Sequence, residues 1–255
     1  MTNIWTIARR DFKTYFTSPI AYCVIAGFLG IMGYMFFASL GHFNVQNLQY
    51  QQFNMGKAIS MTDGVVRPVY GNMNVILLFL IPFITMRLFS EEKKNHTIEL
   101  LMTTPISLSE LILGKFFSSL MLIGVMLAAT FAYPISLMFV SKPDLGPIVT
   151  SYLGIFLLSA CYVSLGLLFS AMTENQIVAG FLTLAAGLFF WLISWISQLV
   201  GPVWSDLLNY LSLISHFING FGAGMIDTTD VVFYFSFIGI SLFLTHRVLD
   251  SYRWR

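Results

Sequence analysis

Charge is what this sequence has least of. Asp, Glu, Lys and Arg make up 10% of its 255 residues, against about 25% in an ordinary soluble domain. A compact domain of this length needs a charged skin, and 13 basic and 12 acidic residues cannot supply one. A soluble globular protein is therefore excluded. So is disorder, which demands the opposite composition, because 57% of the residues are hydrophobic. The net charge of +1 offers no basic surface for nucleic acid. Cysteine is nearly absent too. Cys23 and Cys161 both fall in apolar stretches and read as packing residues rather than as a disulfide or metal pair. What is present is apolar bulk, 25 Phe, 13 Met and 5 Trp among it, so the chain reads as an integral membrane protein.

A helix crossing a ~30 Å hydrocarbon core needs roughly 20 apolar residues, so charge-free intervals mark the spans. They are Ile20 to Leu40, Pro68 to Met86, Phe116 to Ser141, Leu145 to Thr173, Asn175 to Ser205 and Val231 to His246. The fold class this predicts is an all-α polytopic membrane protein with six spans, and the alternation of a β-barrel is absent. A seventh interval, Leu207 to Ile226, contains Asn209, His216, Asn219 and a Gly220–Gly224 cluster. Lipid cannot satisfy those groups, so the region 206–230 reads as a re-entrant outer hairpin. With six spans, Arg9, Arg10, Lys13, Arg87, Lys93, Lys94, Lys115, Arg247, Arg253 and Arg255 share one side, and only Lys57, Arg67 and Lys142 the other. The excess places both termini in the cytoplasm. Residues 1–19 do not read as a signal peptide, since no small-residue cleavage site follows the first span.

The spans lack as much as the surface does. No Asp, Glu, Lys or Arg sits in the middle of one, and such residues mark proton relays, ion-coupled transport and voltage sensing. No GxxxxGK[ST] phosphate loop occurs. If this chain does work, a partner supplies the energy. The Glu91–Glu92 pair would need histidines at its own depth to form an intramembrane metalloprotease, and none is placed there. A Ser-His-Asp arrangement is equally unsupported.

The most informative stretch runs from Phe89 to Lys115, on the cytoplasmic side between the second and third spans. Its first turn carries Glu91, Glu92, Lys93 and Lys94; Thr97, Ile98, Glu99, Leu100, Leu101 and Met102 follow. Thr103-Thr104-Pro105 stops that helix, and Ser107-Leu-Ser-Glu110 reads as a capping box opening the third span. A short amphipathic helix across the ends of two spans can take a push and pass it to both. A plain solvated turn fits the same residues. Upstream, Trp5, Ala8, Phe12, Tyr15 and Phe16 fall on one helical face, with Arg9, Arg10 and Lys13 on the other. This reads as an interfacial helix or as a basic segment that fixes topology.

The ordered pattern F-S-E-E-K, T-I-E-L-L, T-T-P and G-K resembles the loop after the second helix of ABC-type-2 transporter permeases. The resemblance covers essentially the whole chain as one permease domain, 1–255, with a connecting helix at 1–19 and a coupling segment at 88–106. It implies a membrane subunit with no ATPase activity of its own, which couples a separate cytoplasmic ABC ATPase, holding ATP and Mg2+, to export or to force transmission. It also implies a second permease subunit, same or related, in a bacterial inner membrane, with a periplasmic or auxiliary protein as a further partner. By that resemblance Glu91, Glu92, Lys93, Thr97, Glu99, Leu100, Leu101, Pro105, Gly114 and Lys115 belong to the ATPase-coupling segment. Trp5, Arg9, Arg10, Phe12, Lys13 and Phe16 belong to the interfacial helix. Arg67 to Asn72, Pro82 to Arg87 and Ser215 to Gly220 look like the gliding-motility branch, and the permease for copper-site assembly of nitrous oxide reductase is a more distant neighbour. One departure is His96, where family members often carry Gly before Thr97; histidine's better helix propensity predicts a stiffer coupling helix. A membrane scaffold or assembly factor without an ATPase is the rival reading, and it leaves the coupling segment unexplained.

Small-residue rows, Gly27-Gly30-Gly33 and Ala185-Ala186-Gly187, are expected to serve close packing within the chain rather than between subunits. The loop from Gly41 to Arg67, rich in Gln and Asn, reads as a solvated loop or as a contact for an outer partner.

Overall fold

The computed structural model describes residues 2–17, 19–52, 60–99, 106–140, 144–197 and 199–252. Leu100, Leu101 and Pro105 of the coupling segment lie outside the described residues, as do Met102, Thr103 and Thr104. The helices are α1 (Thr2–Thr17), α2 (Pro19–Gln52), α3 (Arg67–Thr85), α4 (Ser90–Lys94), α5 (Leu108–Thr130), α6 (Ala132–Val140), α7 (Leu145–Met172), α8 (Gln176–Ser197), α9 (Pro202–Leu211), α10 (Leu213–Asn219) and α11 (Thr228–Tyr252). A π turn, Thr62–Val66, leads into α3. Six of the helical runs are long and apolar enough to span a bilayer. The region after α8 breaks into helices of 10 and 7 residues, both too short to cross.

Charge-free intervals locate the spans but misplace several ends; the fifth, expected to reach Ser205, ends at Ser197, and a separate helix starts at Pro202. The first does not stop at Leu40: α2 continues for 34 residues to Gln52, about 51 Å at a helical rise of ~1.5 Å. Nothing from Gly41 to Gln52 breaks a helix, so the polar Gln/Asn segment continues α2 instead of looping back, with Phe43 still buried in the core. The third span is broken in two. Pro134 removes an N–H and crowds the carbonyl of Thr130, so α5 ends at Thr130 and α6 starts at Ala132, with Phe131 between them. Thr130 Oγ1 lies 3.0 Å from the Tyr152 hydroxyl on α7 at this break.

Three spans form the core and three surround it. The most apolar windows of α3, α5 and α7 are 61%, 67% and 72% buried, against 17%, 22% and 22% for α2, α8 and α11. Glycines set the closest crossings. A Cβ at Gly166 of α7 would lie 2.5 Å from Thr85 Cβ of α3, and one at Gly187 of α8 would lie 3.0 Å from Leu78 Cδ1. The Gly27–Gly33 row departs from expectation. Gly33 meets Tyr133, but Gly27 and Gly30 have nothing within 4 Å, so the chain's own packing leaves them on an open face.

α1 does not cross the bundle. Its contacts with α5 form a ladder: Asn3 Nδ2 to Glu110 Oε1 at 3.3 Å, Asp11 Oδ2 to Lys115 Nζ at 3.6 Å, and Tyr15 Oη to Ser119 Oγ at 3.2 Å. Ile7 lies over Gly114, where a Cβ would sit 2.6 Å from Ile7 Cγ2. Steps of four residues on α1 matched to rising numbers on α5 mean that the two helices run in the same direction, side by side. The buried face is therefore centred on Ile7, Ala8 and Asp11, and Trp5 is turned out, 60% exposed.

At the end of the bundle opposite α4, the polar groups of the α9–α10 region find protein partners. Ser197 Oγ donates to Asn209 Oδ1 at 2.7 Å, and His216 Nδ1 lies 2.6 Å from Asp230 Oδ1. Thr150 Oγ1 donates to the Phe221 carbonyl at 2.8 Å, beside Gly154, where a Cβ would meet Phe221 Cβ at 2.5 Å. Gly224 closes the turn at φ 91°, a left-handed conformation that glycine adopts without penalty.

Candidate functional site

The densest buried polar cluster among the described residues lies where α4 meets the ends of four other helices. Its centre is Lys115 on α5, whose side chain is 5% exposed; Nζ stands 2.6 Å from Glu92 Oε1 and 3.6 Å from Asp11 Oδ2. Nζ also sits 5.2 Å over the Phe89 ring. One ammonium thus fastens α4 to both α1 and α5. Next to it, Lys93 is buried and its Nζ donates to the Ala171 carbonyl in the last turn of α7, where an ammonium complements the negative helix terminus. The same Nζ lies 4.3 Å over the Tyr252 ring of α11, and the Tyr252 hydroxyl donates to Glu174 at 3.2 Å. Ser170 Oγ accepts the N–H groups of Phe89 and Ser90 at 2.9 and 3.1 Å and donates to the Met86 carbonyl at 3.2 Å. It satisfies backbone groups that the turn between α3 and α4 leaves unpaired.

The sequence-predicted residues divide into two sets. Glu92, Lys93 and Lys115 are brought together inward, in contacts within the chain. Gly114 is the bed on which Ile7 lies. Glu91, Lys94, His96, Thr97 and Glu99 remain exposed, Glu91 and Thr97 in the wall of a cavity they share with Arg87, Glu92 and Lys115. Of the interfacial set, Phe12 and Phe16 pack against the core and against each other, with ring centroids 5.1 Å apart. Trp5, Arg9, Arg10 and Lys13 are exposed. Ser107 and Glu110 form the expected capping box, at 3.2 and 3.1 Å.

Sequence reasoning missed Asp11 and Ser170. Asp11 carried a signal: it is the sole acid among residues 1–19 and lies four residues from both Ile7 and Tyr15, on the apolar face. An acid so placed calls for a buried cation. Tyr15, beside it, has its hydroxyl pushed up to about 12 by burial, against the opposing effect of its hydrogen bond with Ser119. Ser170 gave no signal, because a serine in an apolar span usually bonds its own helix.

The stiff, continuous coupling helix expected from His96 is not what forms. The α4 helix ends at Lys94, the His96 N–H bonds the Lys93 carbonyl at 3.0 Å, and the Thr97 N–H bonds the Glu92 carbonyl at 2.9 Å. These bonds make a Schellman terminus, with His96 in the left-handed region at φ 56°. Helix propensity is the wrong scale at this position. Glycine is favoured here because it has no Cβ to strain, and histidine holds the same turn at a cost. His96→Gly is expected to stabilise the protein by about 1 kcal/mol, read as a higher melting temperature in detergent; an unchanged or lower value would contradict the strained turn.

No curated protein matches the chain. Residues 5–246, nearly the whole helical bundle including α4, match the family described as ABC-2 family transporter protein. The chain belongs to that family, a multi-pass membrane subunit of the ABC-2 transporter type.

Proposed function

We propose that this chain couples a separate cytoplasmic ABC ATPase to movement of its helix bundle, with the α4 segment as the docking element. The observation that carries the reading is the division of that segment. Its inward side is fixed to α1, α5, α7 and α11 through Glu92, Lys93 and the Ser170-bound backbone. Its outward side offers Glu91, Lys94, His96, Thr97 and Glu99 to a partner. A displacement of α4 is transmitted because buried ion pairs and a carbonyl cap do not stretch. ATP and Mg2+ are bound by the ATPase and not by this chain.

Membership in the ABC-2 family and the basic bias of the α4 end support a cytoplasmic position for that end. In this arrangement the chain sits in a bacterial inner membrane and the α9–α10 pair forms the outer re-entrant element. A second permease subunit pairs with it; the open Gly27 and Gly30 on α2 suit close helix approach. The part of α2 from Gly41 to Gln52 extends toward a periplasmic partner, and the motif likeness favours the gliding-motility branch.

The test uses the native complex. Reversing two outward charges, Glu91→Lys with Glu99→Lys, is expected to lower co-purification of the ATP-hydrolysing subunit by about tenfold or more, since like charges across an interface cost several kcal/mol. Unchanged co-purification together with unchanged ATP turnover would overturn the proposal.

A further inference from the structure

The α4 end of the bundle also carries a groove of about 420 Å³ between the first turns of α5 and the last turns of α11, lined by none of the Lys115 cluster. The two helices run in opposite directions there. α5 leaves the α4 end at Leu108, and α11 returns to it at Tyr252, whose ring lies under Lys93 of α4. Residues one turn apart on each helix therefore line the groove at the same two depths. Ser109 and, across from it, His246 and Arg247 form the rim. Ile112 and Leu113 on α5 and Phe243 on α11 line it one turn further in, about 5 Å toward the middle of the bilayer.

The rim groups are accessible, and the fold does not use them. Ser109 and Arg247 are exposed and His246 is half-buried. The Arg247 guanidinium lies 5.0 Å over the Phe243 ring, which keeps it at the groove, above the apolar layer. Among the described residues it has no ion pair. No acid lines the groove. Glu110, beside Ser109, is held instead by Asn3 of α1 and the Ser107 N–H. Asp250, one turn on from His246 and Arg247, pairs with neither. The rim is thus a set of donors without a counter-charge. Ile240, Phe243 and Leu244 continue the apolar layer along α11, each exposed, so the groove opens sideways onto the face that lipid covers.

Most occupants suit only one of the two layers. Free phosphate would match the rim and leave the apolar layer bare. A neutral lipid would cover the apolar layer and leave Arg247 unmatched. A zwitterionic lipid brings an ammonium for which the groove has no carboxylate. We propose that the groove binds an anionic phospholipid of the leaflet at the α4 end, as in phosphatidylglycerol. Its phosphate accepts from the Arg247 guanidinium, with the His246 ring N–H and the Ser109 hydroxyl as further donors, and its first acyl carbons lie against Leu113 and Phe243. Basic groups between spans at a membrane surface attract such headgroups. The volume falls within the ~300–1,000 Å³ range of ligand pockets. It admits the headgroup and glycerol and leaves the acyl chains in the bilayer. The site needs no ATPase, so its failure would leave the coupling proposal untouched.

The test is lipid titration of the purified full-length protein in detergent, with bound lipid counted by native mass spectrometry. Phosphatidylglycerol, phosphatidylethanolamine and phosphatidylcholine of identical acyl chains are compared. Phosphatidylglycerol is expected to bind about fivefold more tightly than the other two. Arg247→Gln is expected to abolish the preference without changing the melting temperature. Leu113→Trp, which fills the apolar layer and leaves every donor in place, is expected to do the same and serves if the first variant does not fold. Lys94→Gln removes an exposed cation at the same end but outside the groove, and the preference is expected to persist. Soluble glycerophosphoglycerol is expected not to compete at matched concentration. Equal retention of the three lipids, a preference that survives either groove variant, or one lost equally in Lys94→Gln would overturn the proposal. Equal competition by the soluble headgroup would overturn its lipid part. Unchanged lipid retention in Arg247→Gln, with loss of a partner subunit from the native complex, would overturn it and assign the groove to an acidic protein segment.

Discussion

Replacing Lys115 by methionine is expected to cost about 3–5 kcal/mol, because it strands the largely buried Glu92 carboxylate and leaves Asp11 only its exposed partner Arg10, at 2.9 Å. The Glu92 and Asp11 side chains are only 19% and 15% exposed, and Lys115 is the cation paired with Glu92, at 2.6 Å, and the second cation near Asp11, at 3.6 Å. In thermal unfolding in detergent the loss should read as a fall of roughly 10 °C or more. The double variant Lys115→Met with Glu92→Met removes the stranded charge nearest the lysine, and it should recover at least half of the loss. That recovery separates an electrostatic clamp from a mere loss of packing, since the second substitution restores no contact. A fall of less than about 2 °C in the single variant, or no recovery in the double one, would contradict the clamp.

Gly166→Leu is expected to be as damaging, by a different route. The Cβ alone would stand 2.5 Å from Thr85 Cβ, and Thr85 has no room to yield. It is fully buried, and its hydroxyl donates to the Ile81 carbonyl at 3.0 Å. The α3–α7 crossing must open, at a cost of about 3 kcal/mol or more, and folded yield in the membrane should fall accordingly. Gly166→Ala is the milder probe, and pairing it with Thr85→Gly should return most of its loss because the clash needs both side chains. If Gly166→Ala lowers the melting temperature and Thr85→Gly does not restore it, the close crossing is not its cause.

The six spans were legible because membrane burial acts on single residues: each charge costs free energy in lipid wherever it lies, so uncharged intervals mark spans with no knowledge of contacts. Span ends were less legible. A helix continues past the lipid when nothing breaks it, as α2 does through Gln46 and Gln49, and a proline such as Pro134 breaks it inside. The capping box at Ser107 was readable because both partners lie within four residues. The clamp was not, since Glu92 and Lys115 are 23 residues apart, and their meeting depends on how α4 folds back on α5. That same fold-back separates the residues proposed for a partner from those spent within the chain, a division no periodicity in residues 89–115 reveals. His96 shows a further limit. Its effect turns on one backbone angle, set by the Schellman bonds around it, and helix propensity does not include that angle.

The most direct measurement places a photoreactive amino acid at Glu99, an exposed position of the α4 segment, and irradiates native membranes containing the whole complex. The expected product is a covalent adduct with a nucleotide-binding subunit, lost when the same probe is moved to Leu48 on the far extension of α2. An adduct at Glu99 with lipid or with an outer-side protein, and none with an ATP-binding chain, would contradict the coupling role of this segment.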